Sequence, residues 1–551
     1  MKLKANNTEQ KLRGAYYTPR TLADEIVRLA DARNCDSILE PSCGDGVFIE
    51  ALAENGMLNS NTQVDAVEVD KDALDKVGNL DQCNSRIQLI HRDFFEFYEE
   101  KSPESYSLIL GNPPYIRYQY LSSGQRSLLS DILTRQGMRP NRLINAWVGF
   151  TVACTDLLMD GGTLAFVLPA ELLQVVYAKD LRAFLACNYS QITLLTFTNL
   201  VFKGIEQEIV VFIGKKGEGS ASIRLIESNG LENLESLQLD SARFQPVVSS
   251  EEKWTRYFIA PDDAYMLNEL NHDPRLVPLS NLALINVGVT TGNNSYFSIT
   301  DSTSNKYDLD SLTIPLIGRS SHAAGVFFTE NDWITNRIAG KRARLLALND
   351  NQYRSLSPKQ KTYIDLGERQ GVNKGYKCSI RNSWYSVPST WIPDAFFLRR
   401  NNLYPKFVIN ECNAISTDTM HRLKFSWHGD PELMLISYYN SIAFAYTELC
   451  GRSYGGGVLE ILPNEVGAVR VLNPELLIMS NETKRDIVSY IDRSVRSGAN
   501  IEKVLDYVDQ KVLVELVGFK QTTCATCRMI WKTLQKRRLR RGKLSEVSCF
   551  Q

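Results

Sequence analysis

The first 215 residues alternate short apolar runs with amphipathic stretches, a pattern that predicts strands alternating with helices. Strand-like apolar runs occupy residues 37–40, 64–70, 87–93, 106–110, 163–168, 192–197 and 208–214. Apolar positions with helical spacing predict helices over 21–30, 47–55 and 143–158,. Strands and helices that alternate in this way are typical of a doubly wound parallel sheet, which binds its ligand across the carboxyl ends of its strands.

The remaining stretches follow other patterns. We expect Thr21 to cap the first helix, and the polar stretch 119–142 to be a flexible connection. From about residue 255 the predicted strands become shorter and aromatic and basic residues more frequent, which predicts a mixed α+β second domain. After residue 501 a helical apolar spacing gives way to a strongly basic end. The predicted divisions are a flexible N-terminus at 1–13, a first domain at 14–250, a second at 251–500 and a helical, basic tail at 501–551.

Composition excludes several classes of protein. A chain of 551 residues with 44% hydrophobic and 23% charged residues is typical of globular proteins with two to four domains,. Its net charge of -1 confines any binding of a polyanion to a local basic face,. Eleven cysteines without a disulfide spacing, and no signal-peptide pattern, favour a reduced, cytoplasmic location,. The longest apolar run, at 143–154, is shorter than the roughly 18 residues of a membrane span, so we expect no membrane role,.

Acidic residues stand at the ends of three successive predicted strands, and these are Glu40, Glu68 and Asp93. The first strand continues into Pro-Ser-Cys-Gly-Asp-Gly at 41–46, whose glycines allow backbone N–H groups to approach a ligand,. Neither a dinucleotide fingerprint nor a nucleoside triphosphate loop is present. The acids favour a cationic, hydroxyl-rich ligand such as S-adenosylmethionine, with Glu68 on the ribose hydroxyls and Asp93 on the adenine amine. Taken singly, each acid could equally be a solvated strand end, and the loop a simple turn.

The fourth strand ends in Asn112-Pro-Pro-Tyr115, the most specific motif of the chain. Two consecutive prolines cannot continue a sheet ladder, because proline lacks the N–H group and restricts the residue before it. The turn offers the side-chain oxygen of Asn112, the carbonyl of Pro113 and the ring face of Tyr115. Two neutral acceptors beside a stacking ring suit an amine on a planar ring.

The ordered motifs resemble those of the gamma class of amino-methyltransferases, the DNA adenine-N6 methyltransferases of restriction–modification systems. They are Gly-Ala-Tyr-Tyr-Thr-Pro at 14–19, Leu-Glu-Pro-Ser-Cys-Gly-Asp-Gly-Val-Phe at 39–48, Val-Glu-Val-Asp at 67–70, Asp-Phe-Phe at 93–95 and Gly-Asn-Pro-Pro-Tyr at 111–115. The resemblance implies a Rossmann-like class I S-adenosylmethionine-dependent methyltransferase domain at 14–250, followed by a C-terminal target-recognition domain. It also implies methyl transfer from S-adenosylmethionine to N6 of an adenine flipped out of duplex DNA.

The resemblance assigns roles residue by residue. Asn112, Pro113 and Tyr115 match the catalytic turn, and Tyr115 with Phe202 would stack on the target base, although Phe202 could equally be a core residue. The residues implied for the cofactor are Tyr16, Thr18, Pro19, Glu40, Ser42, Cys43, Gly44, Gly46, Glu68, Asp93, Phe94 and Asn112. Sequence reading would lie at 255–500, where basic residues mix with Trp384, Tyr385 and Trp391. The basic residues are Arg319, Arg337, Lys341, Arg342, Arg344, Lys374, Lys377, Arg381, Arg399 and Arg400.

Other functions use the same turn. A protein glutamine-N5 methyltransferase or an RNA adenine-N6 methyltransferase could hold its target nitrogen on Asn-Pro-Pro-Tyr, and a DNA-binding relative could lack catalysis. The large aromatic and basic C-terminal half favours the DNA enzyme. We therefore expect double-stranded DNA as substrate, a cognate restriction endonuclease as functional partner and a monomeric state. The pair Cys524 and Cys527 has no second pair and no nearby histidine, so we expect no metal site,.

Overall fold

The structure is a computed structural model, and it describes residues 17–78, 86–141, 144–199, 201–202, 207–234, 242–247, 253–349, 352–454 and 456–547. The predicted flexible segment 1–13 and the predicted cofactor residue Tyr16 lie outside these ranges. The chain divides into two compact units. Unit 1 consists of Met1–Pro261 with Arg540–Gln551, and unit 2 is Asp262–Leu539. No helix in the described part of the chain is long and apolar enough to cross a membrane.

A nine-stranded sheet forms the centre of unit 1. Its strands are β1 (Ser37–Glu40), β2 (Gln63–Glu68), β3 (Ile87–His91), β4 (Tyr106–Gly111), β5 (Leu158–Pro169), β6 (Tyr189–Phe197), β7 (Ile209–Lys216), β8 (Ser222–Ser228) and β9 (Gln245–Pro246). Their order is β3-β2-β1-β4-β5-β7-β6-β8-β9. The first five strands in this order are parallel, whereas β7 runs antiparallel to both β5 and β6. The order reverses between β1 and β4, which confirms the predicted doubly wound sheet.

Helices cover both faces of this sheet. They are α1 (Arg20–Leu29), α2 (Val47–Glu54), α3 (Lys71–Gly78), α4 (Phe94–Glu99), α5 (Ser123–Arg135), α6 (Ala146–Leu157), α7 (Glu171–Gln174) and α8 (Lys179–Asn188). The apolar sides of α1, α2 and α3 share one core cluster with side chains from one face of the strands. Those of α4, α5, α6 and α8 share a second cluster with side chains from the other face. Because both faces are buried, the central strands read as continuous apolar runs.

Two sequence-based expectations about these helices are wrong. Helix α1 begins one residue before Thr21, and its N-cap is Pro19, which makes no side-chain capping bond. The polar stretch 119–142 is not a flexible connection, because α5 occupies most of it. A reciprocal capping box between Ser122 and Gln125 starts α5, and Leu129, Ile132 and Leu133 anchor the helix in the core,.

Unit 2 contains four small sheets. Its strands are β10 (Leu276–Pro278), β11 (Ala283–Val287), β12 (Ser298–Ile299), β13 (Thr313–Ile317), β14 (Phe327–Phe328), β15 (Arg344–Leu346), β16 (Ala395–Leu398), β17 (Arg400–Asn401), β18 (Phe407–Asn410), β19 (Ile415–Ser416), β20 (Met420–Phe425), β21 (Arg452–Tyr454), β22 (Val458–Glu460) and β23 (Arg470–Leu472). The largest sheet has the order β11-β20-β16-β18-β14, and the entirely buried run Ala-Phe-Phe-Leu of β16 forms its central strand. The second half of the chain is therefore mixed α+β, as the change in pattern predicts.

The helices of unit 2 surround these sheets. They are α9 (Pro261–Asn271), α10 (Asn294–Phe297), α11 (Asp301–Tyr307), α12 (Glu330–Ile338), α13 (Pro358–Arg369), α14 (Tyr376–Ser379), α15 (Pro431–Tyr438), α16 (Ser441–Cys450), α17 (Pro463–Ala468), α18 (Asn481–Arg496), α19 (Ile501–Val508) and α20 (Gln521–Val547). One core cluster is aromatic, with Tyr296 stacked on Tyr363 at 4.7 Å between ring centroids.

The basic C-terminal segment packs into unit 2 through buried side chains of α20. Trp531 is fully buried, and Arg538 is 2% exposed. Arg538 forms an ion pair with the equally buried Glu448 of α16, with Nη2 2.7 Å from Oε1, and its Nη1 donates to the carbonyl of Gly457 at 2.7 Å. About three helical turns earlier, Arg528 donates to Asp509 at 2.9 Å. These two cations of the basic segment are therefore engaged in structural contacts.

Candidate active site and cofactor cavity

A cavity of about 630 Å³ opens at the carboxyl ends of β1, β2, β3 and β4. Eighteen of the residues around it come directly from the motifs singled out in the sequence. They are Tyr17, Thr18, Glu40, Pro41, Ser42, Cys43, Gly44, Asp45, Val47, Phe48, Glu68, Val69, Asp70, Asp93, Phe94, Phe95, Asn112 and Pro114. The predicted residues Pro19, Gly46 and Pro113 are each next to a lining residue in the chain but do not themselves line the cavity. The strand order thus brings residues as far apart in the sequence as Tyr17 and Pro114 to one edge of the sheet.

The loop after β1 takes a conformation that requires glycine. Gly44 and Gly46 both have positive φ, at 54° and 86°, where a side chain would be strained,. The N–H of Gly44 donates to Glu68 Oε2 at 2.9 Å, and the N–H of Cys43 donates to the carbonyl of Val67 at 2.9 Å. These two bonds fasten the loop to the end of β2.

Glu68 is held by backbone donors on both of its oxygens. Oε2 accepts from Gly44, and Oε1 accepts from the N–H of Asp70 at 2.9 Å. A carboxylate oxygen has two lone pairs, so each can accept a further hydrogen bond from a ligand hydroxyl. The fixed orientation therefore suits recognition of a vicinal pair of hydroxyls.

Glu40 is the most deeply buried acid of the cavity. Its side chain is 1% exposed, and its Oε2 has no hydrogen-bond partner among the described residues. Burial raises the pKa of Glu40 well above its usual range, and the neighbouring carboxylates of Glu68 and Asp45 raise it further. Burial also raises the pKa of Cys43, with Glu40 as the next cause. A cationic group entering the cavity would satisfy this carboxyl group.

Asp93 has two structural partners. Its Oδ1 accepts from the N–H of Phe95 at 2.9 Å, which caps α4, and its Oδ2 accepts from Gln125 Nε2 at 2.7 Å. The neighbouring Phe94 stacks on Phe150 of α6 with ring centroids 4.4 Å apart. An acceptor beside an aromatic wall is the arrangement that an adenine ring with an exocyclic amine requires.

The Asn-Pro-Pro-Tyr turn begins where β4 ends. The Asn112 Nδ2 group donates to Thr18 Oγ1 at 3.2 Å, and Ser42 Oγ donates to the Asn112 carbonyl at 3.4 Å. The contact with Thr18 turns the Asn112 Oδ1 atom away from that hydroxyl. The orientation of the Asn112 amide therefore depends on a residue of the segment before α1.

The two predicted stacking rings are not among the residues that line the cavity. Tyr115 is half-buried, and its hydroxyl donates to the carbonyl of Val167 at 3.1 Å. Phe202 is 5% exposed and belongs to the core cluster against which Tyr115 packs. The structure thus associates both rings with one cluster, and neither lines the cavity.

Several lining residues receive no cofactor role from the sequence analysis, although two of them lie within the recognised motifs. Val69 is 63% exposed although apolar, and Tyr17 is 48% exposed. Gln125, Leu121 and Phe150 come from or adjoin helices outside the recognised motifs. An apolar residue between Glu68 and Asp70 is a usable sequence signal for Val69. The contribution of α5 and α6 depends on tertiary packing and leaves no comparable local pattern.

The cavity fits S-adenosylmethionine in size and charge. Its volume lies within the range of small-molecule sites, roughly 300–1,000 Å³,. The lining includes Glu40, Asp45, Glu68, Asp70 and Asp93, and these acceptors suit a ligand with two cationic groups, ribose hydroxyls and an amine. In the described part of the chain, no group of three or more His, Cys, Asp or Glu side chains could hold a metal ion.

Many basic residues of the second half are engaged within unit 2. Arg337 and Arg344 form ion pairs with Asp301, and Arg399 and Arg400 with Glu460. Arg381 donates to the carbonyls of the loop that contains Thr290 and Thr291. Arg319, Lys374 and Lys377 are exposed and have no ion pair among the described residues. These last three are therefore accessible to a polyanion.

Comparison with known proteins places the two halves of the chain in related families. Residues 47–202 match the family model described as "Eco57I restriction-modification methylase". Residues 251–513 match the model described as "Type II methyltransferase M.Eco57I, C-terminal domain".

Individual relatives extend over different lengths. The Type II methyltransferase M.AccI of Acinetobacter calcoaceticus is 21% identical over 533 residues, which cover 92% of this chain and 94% of that protein. The Type II methyltransferase M.HincII of Haemophilus influenzae is 29% identical over 245 residues, 44% of this chain and 45% of that protein. The solved structure of the Type IIL restriction-modification enzyme MmeI in complex with DNA aligns with a TM-score of 0.52 at 12% identity, over 94% of this chain and 75% of that one. This last similarity concerns the fold alone.

Proposed function

Because the chain belongs to the Eco57I-type restriction–modification methylases, we propose that it transfers a methyl group from S-adenosylmethionine to N6 of an adenine in duplex DNA. The choice of a planar amine as target rests on one observation. The turn Asn112-Pro-Pro-Tyr115 contributes Asn112 and Pro114 to the lining of the acidic cavity. We further propose that the methylation protects DNA from a cognate restriction endonuclease, and that the protein acts as a monomer.

The cofactor would be held by the side chains that line the cavity. Glu68 would accept from the ribose hydroxyls, Asp93 from the adenine amine, and Phe94 would pack on the adenine ring. The loop at Cys43 and Gly44, with Thr18 opposite, would enclose the amino-acid part. Tyr16, Pro19, Ser42 and Gly46 belong to the same segments. When bound, S-adenosylmethionine supplies an electrophilic sulfonium methyl group.

The chain's own residues supply orientation and charge placement. The lone pair of an adenine amine is delocalised into the ring, so the amine is a poor nucleophile. Asn112 Oδ1 and the Pro113 carbonyl would accept its two N–H groups and localise the lone pair towards the methyl donor. The amine becomes acidic only as the new N–C bond forms, so no general base of matched pKa is required.

The target base must leave the duplex stack to reach this turn. Tyr115 lies three residues after Asn112 and offers a ring face for the extruded base. Phe202 belongs to the cluster against which Tyr115 packs, and we propose that it forms the second stacking surface. Its low exposure requires that the Phe202 side chain moves when the base enters. Recognition of the surrounding sequence is assigned to residues 251–500.

Substitution of Asn112 by alanine tests the proposed chemistry. We expect the methylation rate to fall by at least about 100-fold, the usual loss when a transition-state acceptor or donor is removed, while S-adenosylmethionine still binds. The rate is measured as transfer of a labelled methyl group to duplex DNA, and binding by calorimetry. Wild-type transfer by this variant would contradict the mechanism.

The identity of the substrate is tested by sequencing. Single-molecule sequencing of DNA from cells that express the wild-type gene should show N6-methyladenine in one fixed sequence context, and cells that express the Asn112→Ala variant should not. Labelled methyl groups appearing instead in RNA or in protein glutamine would favour the alternative enzymes. Sequence-specific binding without any transfer would favour a non-catalytic DNA-binding relative.

A further inference from the structure

Gln125 of α5 contacts the acid that would read the cofactor's adenine. Its Nε2 group donates to Asp93 Oδ2 at 2.7 Å, while Asp93 Oδ1 accepts from the N–H of Phe95 at 2.9 Å. Each oxygen of Asp93 is therefore engaged once by the protein, and each keeps one lone pair for other donors. The carboxylate plane is fixed by one backbone contact and one side-chain contact.

The side chain of Gln125 is itself held at its other end. Its Oε1 atom accepts from the N–H of Ser122 at 3.0 Å, and Ser122 Oγ accepts from the N–H of Gln125 at 3.1 Å. A rotation of the amide by 180° would place Oε1 against the carboxylate and the NH₂ group against an N–H donor. The capping box thus determines which end of the amide faces Asp93.

The contact also separates two cavities. Besides the cofactor cavity, a second cavity of about 440 Å³ lies between α4 and the N-terminal end of α5. Asp93 and Gln125 are the two residues that line both cavities. Loss of the Gln125 side chain would join them and let water reach the Asp93 carboxylate from behind.

We propose that Gln125 is a positioning residue that makes the cofactor site specific for the exocyclic amine of adenine. An ionised carboxylate only accepts hydrogen bonds, so it favours an amine and disfavours a carbonyl oxygen at the same ring position. The preference for the amine is kept only if the carboxylate cannot rotate and if water does not take the place of its contact with the ligand. Gln125 provides both conditions, and it connects the start of α5 to the adenine end of the cavity.

The proposal rests on the proposed contact of Asp93 with the adenine amine, and a pair of ligands tests it. S-adenosylhomocysteine carries the amine, and S-inosylhomocysteine carries a carbonyl oxygen in its place. We expect wild-type protein to bind the adenosyl compound at least tenfold more tightly in calorimetry. The Gln125→Leu variant, which keeps side-chain bulk without the donor, should reduce this ratio by about tenfold.

The Ser122→Ala variant is the matched control. It weakens the same helix cap, yet it leaves the Ser122 N–H and the Gln125 side chain in place. It should lower the melting temperature and keep the wild-type ratio. A ratio in Gln125→Leu within twofold of wild type, or an equal reduction in Ser122→Ala, would overturn the role of Gln125. Equal binding of both ligands by wild-type protein would overturn the Asp93 contact, and with it this proposal.

Discussion

The buried carboxyl group of Glu40 shows how a ligand site can oppose stability. Burial and the nearby acids Glu68 and Asp45 raise its pKa, so the empty folded protein retains the proton at a pH where the unfolded chain has lost it,. Unfolding then releases a proton, and stability falls as the pH rises from the unfolded pKa, about 4.3, towards the folded pKa. The loss is about 1.4 kcal/mol for each pH unit within this window.

A Glu40→Gln substitution should remove this pH dependence. We expect the stability of the variant without ligand, relative to wild type, to increase as the pH is raised above about 4.3, the pKa in the unfolded chain, because only the wild-type carboxyl group releases a proton on unfolding. The measurement is the melting temperature as a function of pH. Asp36→Asn, at an exposed position, serves as control and should leave the slope unchanged. Parallel curves for wild type and Glu40→Gln would show that Glu40 is ionised in the folded state.

Among the helices, α20 illustrates a basic sequence in which some of the charges are internal. Arg538 and Glu448 have side chains that are each 2% exposed, and the guanidinium also donates to the carbonyl of Gly457. Removing one partner of a buried ion pair leaves an uncompensated charge. The sequence alone predicts only a helical, basic tail, because a run of arginines and lysines carries no mark of which members turn inward.

An Arg538→Met substitution should destabilise unit 2 by about 3–5 kcal/mol, because Glu448 would remain buried without its partner. Urea denaturation followed by intrinsic tryptophan fluorescence measures this change, because the buried Trp531 of α20 is among the reporting side chains. Lys536→Met, two positions earlier on the exposed side of the helix, should shift stability by no more than about 0.5 kcal/mol,. A similar effect of both substitutions would mean that the ion pair has no special weight.

The elements of unit 1 could be predicted to different degrees. Strands β1 and β4 are recognisable because they are largely buried, so their apolar runs end abruptly at Glu40 and just before Asn112. In β2 and β3, apolar residues are interspersed with polar ones, and the acids Glu68 and Asp93 mark their ends. Helix α5 is not recognisable in this way, because its stabilisation comes from the Ser122 and Gln125 capping box and from a few spaced leucines. The capping-box pattern of serine followed three residues later by glutamine is present in the sequence. The many polar residues around it nevertheless favour the prediction of a connection over that of a helix.

In the molecule as a whole, predictability falls from the first unit to the second. The cavity residues were accessible from motif order, since parallel strands bring their carboxyl ends together. The strands of unit 2 are only two to six residues long. Several of them pair with strands that are distant in the sequence, such as β10 with β23 and β11 with β20. Such pairing is set by tertiary packing, and local patterns reveal only its mixed class. The sequence does not distinguish cations that are available to DNA from those engaged within unit 2, because it does not reveal the ion pairs with Asp301 and Glu460.

The overall charge leads to a prediction about DNA binding. With a net charge of -1, the protein must rely on local cations for phosphate contacts,. If unit 2 binds DNA as proposed, Lys374→Ala or Lys377→Ala at these exposed positions should weaken binding. Each substitution should also make the plot of log affinity against log salt concentration less steep by about 0.9, the change expected for the loss of one phosphate contact. Fluorescence anisotropy over a salt series measures both. Lys503→Ala, exposed on α19, is the control, and unchanged slopes in all three would exclude this face.

The antiparallel strand β7 has a consequence for the time course of folding. Strands β5 and β6 are not neighbours in the sheet, and both are joined only through β7, which follows them in the chain. Until β7 inserts between them, each presents an unpaired apolar edge, the kind of surface through which partly folded chains associate. Residues 158–216 therefore form the part of unit 1 that is most exposed to misassembly. The yield of refolded protein should accordingly fall with protein concentration even where the native state is stable.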